Sequence, residues 1–244
     1  MSVNTACSGF PYGVAIADCL IRNGNYRDII VTAVERMSDV IDFEDYKTLA
    51  LFGDGAGAAR FKATDNPKKA IKFFLSSYYS ESDITLDISK EDKLQMIGGR
   101  KVVSKAVNAM EYAAYNLLLQ GIHKKEDLRN YNIFNLGKNE AIKEELKELL
   151  KEIQLIVPHD ANQRISDLLA DKFLKEFGFP KERVYWRIVY EGNCSGASAA
   201  KNLDFARREN IVKENDVVLI TTVGGGYTIG SLELKMPEKR LKAK

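Results

Sequence analysis

Through its second half the chain alternates between two lengths of apolar pattern. Short runs rich in β-branched residues, "QLIVPH" from Gln154 and "DVVLITTV" from Asp216, are separated by helix-length stretches, "NQRISDLLADKFLKEF" from Asn162 and "ASAAKNLDFARREN" from Ala197. An apolar run with no polar alternation reads as a strand covered on both faces, and the helices between such strands supply the covers. This pattern predicts an α/β fold built on a largely buried, mixed sheet. The first half adds further candidates. "DIIVTAVE" (residues 28–35) reads as a buried strand, "TLALFGDGAGAARF" (48–61) as strand, glycine turn and strand, and "IKFFLSSYY" (71–79) as a strand. "VYWRIVY" from Val184 reads as strand-like, and "YTIGSLELK" as a last strand after the "GGG" turn. Helical spacing predicts helices over 9–23, 102–120 and 139–153, the last with Ile142, Leu146, Leu149 and Ile153 along one side. The lysine-rich end "MPEKRLKAK" reads as a frayed tail.

Composition narrows the function classes. A chain of 244 residues can bury a full core, and 36 Lys+Arg against 34 Asp+Glu leaves a net charge of +2. That balance argues against a nucleic-acid footprint spread over the whole molecule. No apolar run approaches the roughly 20 residues of a membrane span, and no basic segment followed by an apolar one opens the chain as a secretory signal would. Three cysteines, Cys7, Cys19 and Cys194, are an odd number without C-x-x-C spacing. A disulfide framework or zinc site is not expected, nor is any other metal, and a reducing, cytoplasmic setting is.

Three polar residues stand where apolar strand-like runs give way to helices. Cys7 lies in "NTACSGF", His159 in "LIVPHDANQRI" and Asn193 in "YEGNCSGASAA". Strand-to-helix junctions are where α/β sheets gather ligand sites. A cysteine opening a helix feels its positive end and free N–H groups, which favour thiolate. A histidine and an asparagine supply hydrogen-bond donors for a developing oxyanion. Together the three suit a thiolate nucleophile that accepts an acyl group. Each also has a plainer reading: a packed small hydrophobe, a structural histidine beside His123, and a turn asparagine. The order cysteine, histidine, asparagine is also that of papain-like proteases, but their C-G-[SA]-C-[WY] signature is absent from "TACSGF".

The motifs "NTACSGF", "LFGDGAGA", "VPHDAN", "GNCSGAS" and "GGGYTIGS", in this order, resemble β-ketoacyl-acyl-carrier-protein synthase III, a condensing enzyme of thiolase-type fold. The resemblance spans essentially the whole chain. It implies a duplicated, layered α-β-α-β-α architecture, with residues 1–92 as an incomplete N-terminal half carrying Cys7 and 93–244 as the C-terminal half carrying His159 and Asn193. It implies decarboxylative Claisen condensation of an acyl-CoA, such as acetyl-CoA, with malonyl-acyl-carrier protein through an acyl-Cys7 thioester. His159 and Asn193 would stabilise the enolate formed as CO2 leaves, and the backbone N–H groups of Cys7 and Gly225 would form the oxyanion hole. Asn162 matches a position that binds the pantetheine arm, and Arg164 one that docks the carrier protein. No cofactor is implied; acyl carrier protein, acyl-CoA and a homodimeric or complementing chain are the implied partners.

The sequence departs from the family in four places. Asp160 replaces the usual glutamine, and Cys194 replaces a common threonine. The segment after Gly121 is longer by roughly one ordinary helix, and the stretch 139–153 within it reads as a surface addition packing by its leucine face, with partner binding as the alternative. Little chain precedes Cys7, so a piece of a longer synthase, one subunit of a split enzyme and a catalytically silent homologue are all expected alternatives, as is a related acyltransferase of specialised metabolism. Without more chain before Cys7, the first half should show exposed strand edges and an uncovered apolar helix after the cysteine.

Overall fold

The computed structural model of the chain describes residues 1–67, 70–77, 84–87, 93–96, 100–123 and 139–238. Its centre is a four-stranded sheet in the order β3 (Lys72–Ser77), β8 (Thr228–Lys235), β7 (Val217–Gly224), β6 (Leu155–Pro158). β6 and β7 run parallel, with Leu155 opposite Val218, and the other pairs are antiparallel. The mixed sheet therefore forms as the apolar runs predict. β3 comes from residues before the boundary placed at 92, yet it pairs along β8 of the later segment.

Both faces of this sheet are covered. On one lie α3 (Arg100–Leu119), α4 (Glu140–Lys151) and α5 (Gln163–Phe177), whose Met110, Leu117, Leu146, Leu169 and Phe173 pack with Ile156 and Leu219. On the other lie α1 (Gly9–Arg22) and α7 (Ala197–Arg208), whose Phe10, Val14, Ala199 and Ala206 pack with Val157, Val218 and Ile220. Side chains alternate across each strand, which is why Leu219 and Ile220 enter different clusters.

A second sheet, β1 (Asp28–Glu35) antiparallel to β2 (Gly55–Lys62), lies beyond α1 and α7. Its Val31, Ala33, Ala59 and Phe61 pack against the second cluster. The layers thus run helix, sheet, helix, ribbon. A third pair, β4 (Ile84–Asp87) with β5 (Lys93–Met96), completes the sheets among the described residues.

Several expectations change. β1 is a strand, but only one face is covered: Ile30 and Val34 are 64% and 72% exposed, and β2 is its one partner among the described residues. The expected strand at the start of 48–61 is instead the helical turn α2 (Tyr46–Leu49), because Asp45 caps it by accepting from the Lys47 N–H (3.1 Å). "VYWRIVY" begins as an extension of the sheet, with Tyr185 N–H donating to the Ile156 carbonyl (2.9 Å). It then leaves it when Arg187 N–H turns to Asp160 (3.3 Å) and the chain enters the turn α6 (Ile188–Glu191). α4 packs by its apolar face as expected, with Ile142, Leu146 and Leu150 in the larger core while Glu144, Lys147 and Glu148 stay exposed. α1, expected to lose its cover, instead buries Phe10 and Val14. Met236 is likewise buried rather than frayed. The predicted strand over 71–79 ends, as described, at Ser77; residues 124–138 of the lengthened segment and 239–244 of the tail lie outside the described residues.

Candidate active site

Cys7 sits just before α1, whose N-cap Ser8 makes no side-chain cap bond. Ser8 instead donates to Thr228 Oγ1 (2.7 Å), and Thr228 Oγ1 donates to the Thr5 carbonyl (2.8 Å), tying the cysteine turn to the β7–β8 turn. Gly224 makes the approach possible. A Cβ there would stand 2.6 Å from the Thr5 carbonyl oxygen and 3.1 Å from the Cys7 nitrogen. Gly225, the next residue, has open space around its Cβ position.

His159 directly follows β6 and is 2% exposed. Its N–H donates to the Thr221 carbonyl of β7 (2.9 Å), which extends the parallel pairing by one residue. Nδ1 is buried with no hydrogen-bond partner among the described residues. Burial lowers its pKa to about 4, so the imidazole is neutral at physiological pH.

Asn193 connects these parts. Its backbone joins the 51–53 segment, donating to the Leu51 carbonyl (2.7 Å) and accepting from Gly53 N–H (3.1 Å). A Cβ on Gly53 would meet the Glu191 carbonyl oxygen at 2.4 Å, so glycine is required for this crossing. The Asn193 amide Nδ2 donates to the Ala161 carbonyl (3.4 Å), two residues past His159, and its Oδ1 accepts from Ser195 N–H (2.9 Å). The Ser195 side chain acts on the Cys7 thiol, opposing the rise in its pKa that burial brings. The His159 and Asn193 turns are therefore bonded to one another, and the Cys7 turn packs against Gly196, where a Cβ would stand 3.3 Å from the Ala6 carbonyl oxygen.

Two residues of this cluster escaped the sequence reading. Glu35, the last residue of β1, accepts from Gly196 N–H (3.2 Å), and its charge raises the pKa of Cys7. Strand alternation puts Glu35 on the same covered face as Val31 and Ala33, which is the signal that could have found it. Ser195 and Ala6, which flank the thiol, both adopt left-handed backbone, with φ of 46° and 49°. Such conformations concentrate at functional sites.

The electrostatics differ from expectation at Cys7. Burial of the thiol is the largest influence and raises its pKa to about 11; the Ser195 side chain opposes this and the Glu35 charge adds to it. The helix end does not by itself yield a thiolate here. Asp160 is also buried, accepting from Asn202 Nδ2 (2.8 Å) and from Arg187 N–H. Burial first, against those hydrogen bonds, lifts its pKa to about 6.

Asn162 and Arg164 open α5 just beyond His159. The Asn162 side chain caps the helix, accepting from Ile165 N–H (3.0 Å), while Arg164 is exposed on the first turn. Among the described residues no helix is long and apolar enough to cross a membrane, and no cluster of His, Cys, Asp or Glu is arranged to hold a metal.

Known proteins place this architecture. Residues 1–79 match the family described as 3-oxoacyl-[acyl-carrier-protein] synthase III, and residues 144–236 match its C-terminal family. The second match opens inside α4, so most of that helix falls within the family rather than in an addition to it. A β-ketoacyl-[acyl-carrier-protein] synthase III of Aquifex aeolicus is 32% identical, covering 96% of this chain and 65% of the relative. One from Natranaerobius thermophilus is 31% identical over 96% of this chain and 67% of its own. The crystal structure of the Aquifex aeolicus 3-oxoacyl-[acyl-carrier-protein] synthase III superposes with a TM-score of 0.76 at 31% identity, covering 96% of this chain and 66% of that one. That of the Pseudomonas aeruginosa synthase III gives 0.76 at 28% identity, with 97% and 66% covered. The chain thus spans about 65% of the length of the first of these relatives. With five motifs in order, matched family regions and a thiolase-like fold in common, this chain belongs to the 3-oxoacyl-[acyl-carrier-protein] synthase III family.

Proposed function

We propose that the chain carries the condensing centre of a β-ketoacyl-acyl-carrier-protein synthase III. In this reading it joins an acyl-CoA, most simply acetyl-CoA, to malonyl-acyl-carrier protein with loss of CO2, the step that begins fatty acid synthesis. Cys7 takes the acyl group as a thioester. Since burial holds the thiol protonated, the proton must leave as the sulfur attacks. The backbone N–H groups of Cys7 and Gly225 receive the thioester oxyanion, a role suited to the close glycine approach at 224–225.

In the second half-reaction His159 and Asn193 hold the malonyl thioester carbonyl as CO2 departs. The resulting carbanion attacks acyl-Cys7, and the thiol is regenerated. Neutral imidazole and amide are suited to this, since each offers a donor without carrying charge into a buried pocket. Asn162 and Arg164 receive the pantetheine arm and the acidic carrier protein. The reaction needs no cofactor, because the thioester and departing CO2 supply the chemistry. A cytoplasmic enzyme working as a homodimer, or with a complementing chain, belongs to the same proposal.

The observation that carries the reading is the meeting of the three turns: Asn193 bonds the carbonyl two residues past His159, and Gly196, three residues past Asn193, packs against the turn holding Cys7, where a Cβ would stand 3.3 Å from the Ala6 carbonyl oxygen. The test is intact mass after incubation with acetyl-CoA, with Cys7→Ala as control. An acetyl adduct lost in the control supports the proposal. Its absence, with the chain folded and with candidate complementing chains added, overturns it.

A further inference from the structure

Cys194 departs from the family and takes no part in the proposed chemistry. Its thiol is fully buried at the start of the turn into α7. Lys201, two turns along the same helix, folds back so that Nζ lies 2.8 Å from Cys194 Sγ. On its other side Nζ donates to Glu191 Oε2 (3.1 Å), which fixes the lysine in place. The sulfur is equally confined, 3.3 Å from the Asp54 carbonyl oxygen and 3.3 Å from that of Glu191. Gly55 closes the remaining side: a Cβ there would stand 2.7 Å from Sγ and 3.3 Å from Nζ. Nucleophilic nitrogen and sulfur are thus held together with little room for either to swing away.

We propose that Cys194 and Lys201 form an oxidation-sensitive site, in which a peroxide joins them covalently through one bridging oxygen, as S–O–N. A bridge of two single bonds at an ordinary angle spans about the separation observed. One hydrogen peroxide first converts the thiol to sulfenic acid and leaves as water, forming the S–O bond. The Lys201 ammonium gives a proton to solvent or Glu191 to become the free amine. A second peroxide then removes one hydrogen from the sulfenic oxygen and one from the amine. Its O–O bond breaks to give two waters as the N–O bond forms. Sulfur and nitrogen each lose one electron pair, and each peroxide accepts one. The Lys201 side chain keeps 11% exposure, a route for a molecule as small as peroxide. Confinement also disfavours the competing fates, since a larger thiol could not reach this sulfur to form a mixed disulfide. The bridge would pin the residue following Asn193 to the body of α7.

Peptide mapping tests this directly. The purified chain is treated with graded hydrogen peroxide, quenched, alkylated and digested with trypsin. In untreated protein cleavage follows Lys201, separating residues 188–201 from 202–207. The proposal expects a missed cleavage at Lys201, giving peptide 188–207 heavier by about 14 Da, one oxygen gained and two hydrogens lost. Dithiothreitol should restore cleavage and the free thiol. Lys201→Arg, which keeps a cation beside Glu191 but has no primary amine, should show no such peptide. Normal cleavage at Lys201, with Cys194 still alkylatable or carrying two or three oxygens, overturns the proposal. So does the same mass gain in Lys201→Arg. None of these readouts depends on acyl transfer, so a failure here is separable from a failure of the condensing-enzyme reading.

Discussion

One strand from each main sheet, β7 and β1, carries a similar β-branched apolar run, yet the two sit in opposite surroundings. β7 is buried along nearly its whole length, with Leu219 facing α3 and α5 and Ile220 facing α1 and α7. β1 has the same kind of sequence, but its residues alternate between partly covered and exposed. Its inner face meets α1 and α7; its outer face, with Ile30 and Val34, meets nothing among the described residues. Apolarity therefore marks both faces of β1 as suitable for burial while the structure uses only one. The site is assembled between the two sheets: His159 directly follows a strand of the first, and Glu35 ends a strand of the second.

The largest contrast is in packing. Leu219→Ala deletes a fully buried side chain between two layers and should lower unfolding stability by about 2–5 kcal/mol, since the surroundings collapse only partly around the cavity. Urea denaturation measures it. A cost below about 1 kcal/mol would show that the central sheet is more loosely covered than its burial implies.

Acids divide the two regions in the same way. In the ribbon, exposed Asp28 is held below the usual carboxylate range, chiefly by its hydrogen bond to Arg60, so what it contributes is lost as pH falls through that lowered value. At the end of β6, Asp160 titrates near 6 instead of 3.8, because burial penalises its charge. Between those values the folded chain holds a proton that the unfolded chain releases, so this group lowers stability as pH rises from about 4 to 6. His159 has the opposite sign. Its pKa falls from 6.5 to about 4, so the unfolded chain binds the extra proton and stability rises with pH across that interval. The two slopes oppose one another in the native protein. Asp160→Asn removes one and should expose the other, a climb of up to about 3 kcal/mol between pH 4 and 6.5. Thermal melts over that range should show a steeper profile for the variant; identical profiles would mean that the carboxyl is hydrated.

A smaller effect probes the inner face of the ribbon. A Cβ at Gly57 would fall 2.7 Å from that of Ala200 and 3.0 Å from the Lys201 nitrogen. Gly57→Ala should cost about 1–3 kcal/mol by forcing the ribbon off α7. An unchanged melting temperature would mean that the ribbon shifts freely on its helices.

How much of this was readable follows from the same contrast. The central sheet was legible because "LIVP" and "VVLITTV" admit no polar face, and two-sided cover is the arrangement that satisfies them. "DIIVTAVE" carries the same signature, so sequence could not reveal that Ile30 and Val34 stay outside. "TLALF" was misread because a short apolar run suits helix or strand alike, and the Asp45 cap decided it. Cys7, His159 and Asn193 were findable from their junctions. Ser195 was not, and for Glu35 alternation gave only the covered face, since its bond to Gly196 spans 161 residues of sequence. The raised Cys7 pKa was also hidden, because a helix-end argument contains no measure of burial.

The smallest expected effect tests the outer face of β1. Ile30 projects from the middle of the ribbon and is 64% exposed, so Ile30→Thr removes little packing among the described residues and keeps β-branching. Its stability should stay within about 0.5 kcal/mol of the parent, by urea denaturation of the dilute chain. An open strand edge beside apolar side chains is, however, a template for pairing with another chain. Repeating the measurement over a range of protein concentrations separates the cases. A difference that stays small at every concentration means that the face is solvated, and the two sheets differ as described. A cost above about 1 kcal/mol that grows with concentration would mean that Ile30 is buried in an assembly, and the contrast would belong to the single chain alone.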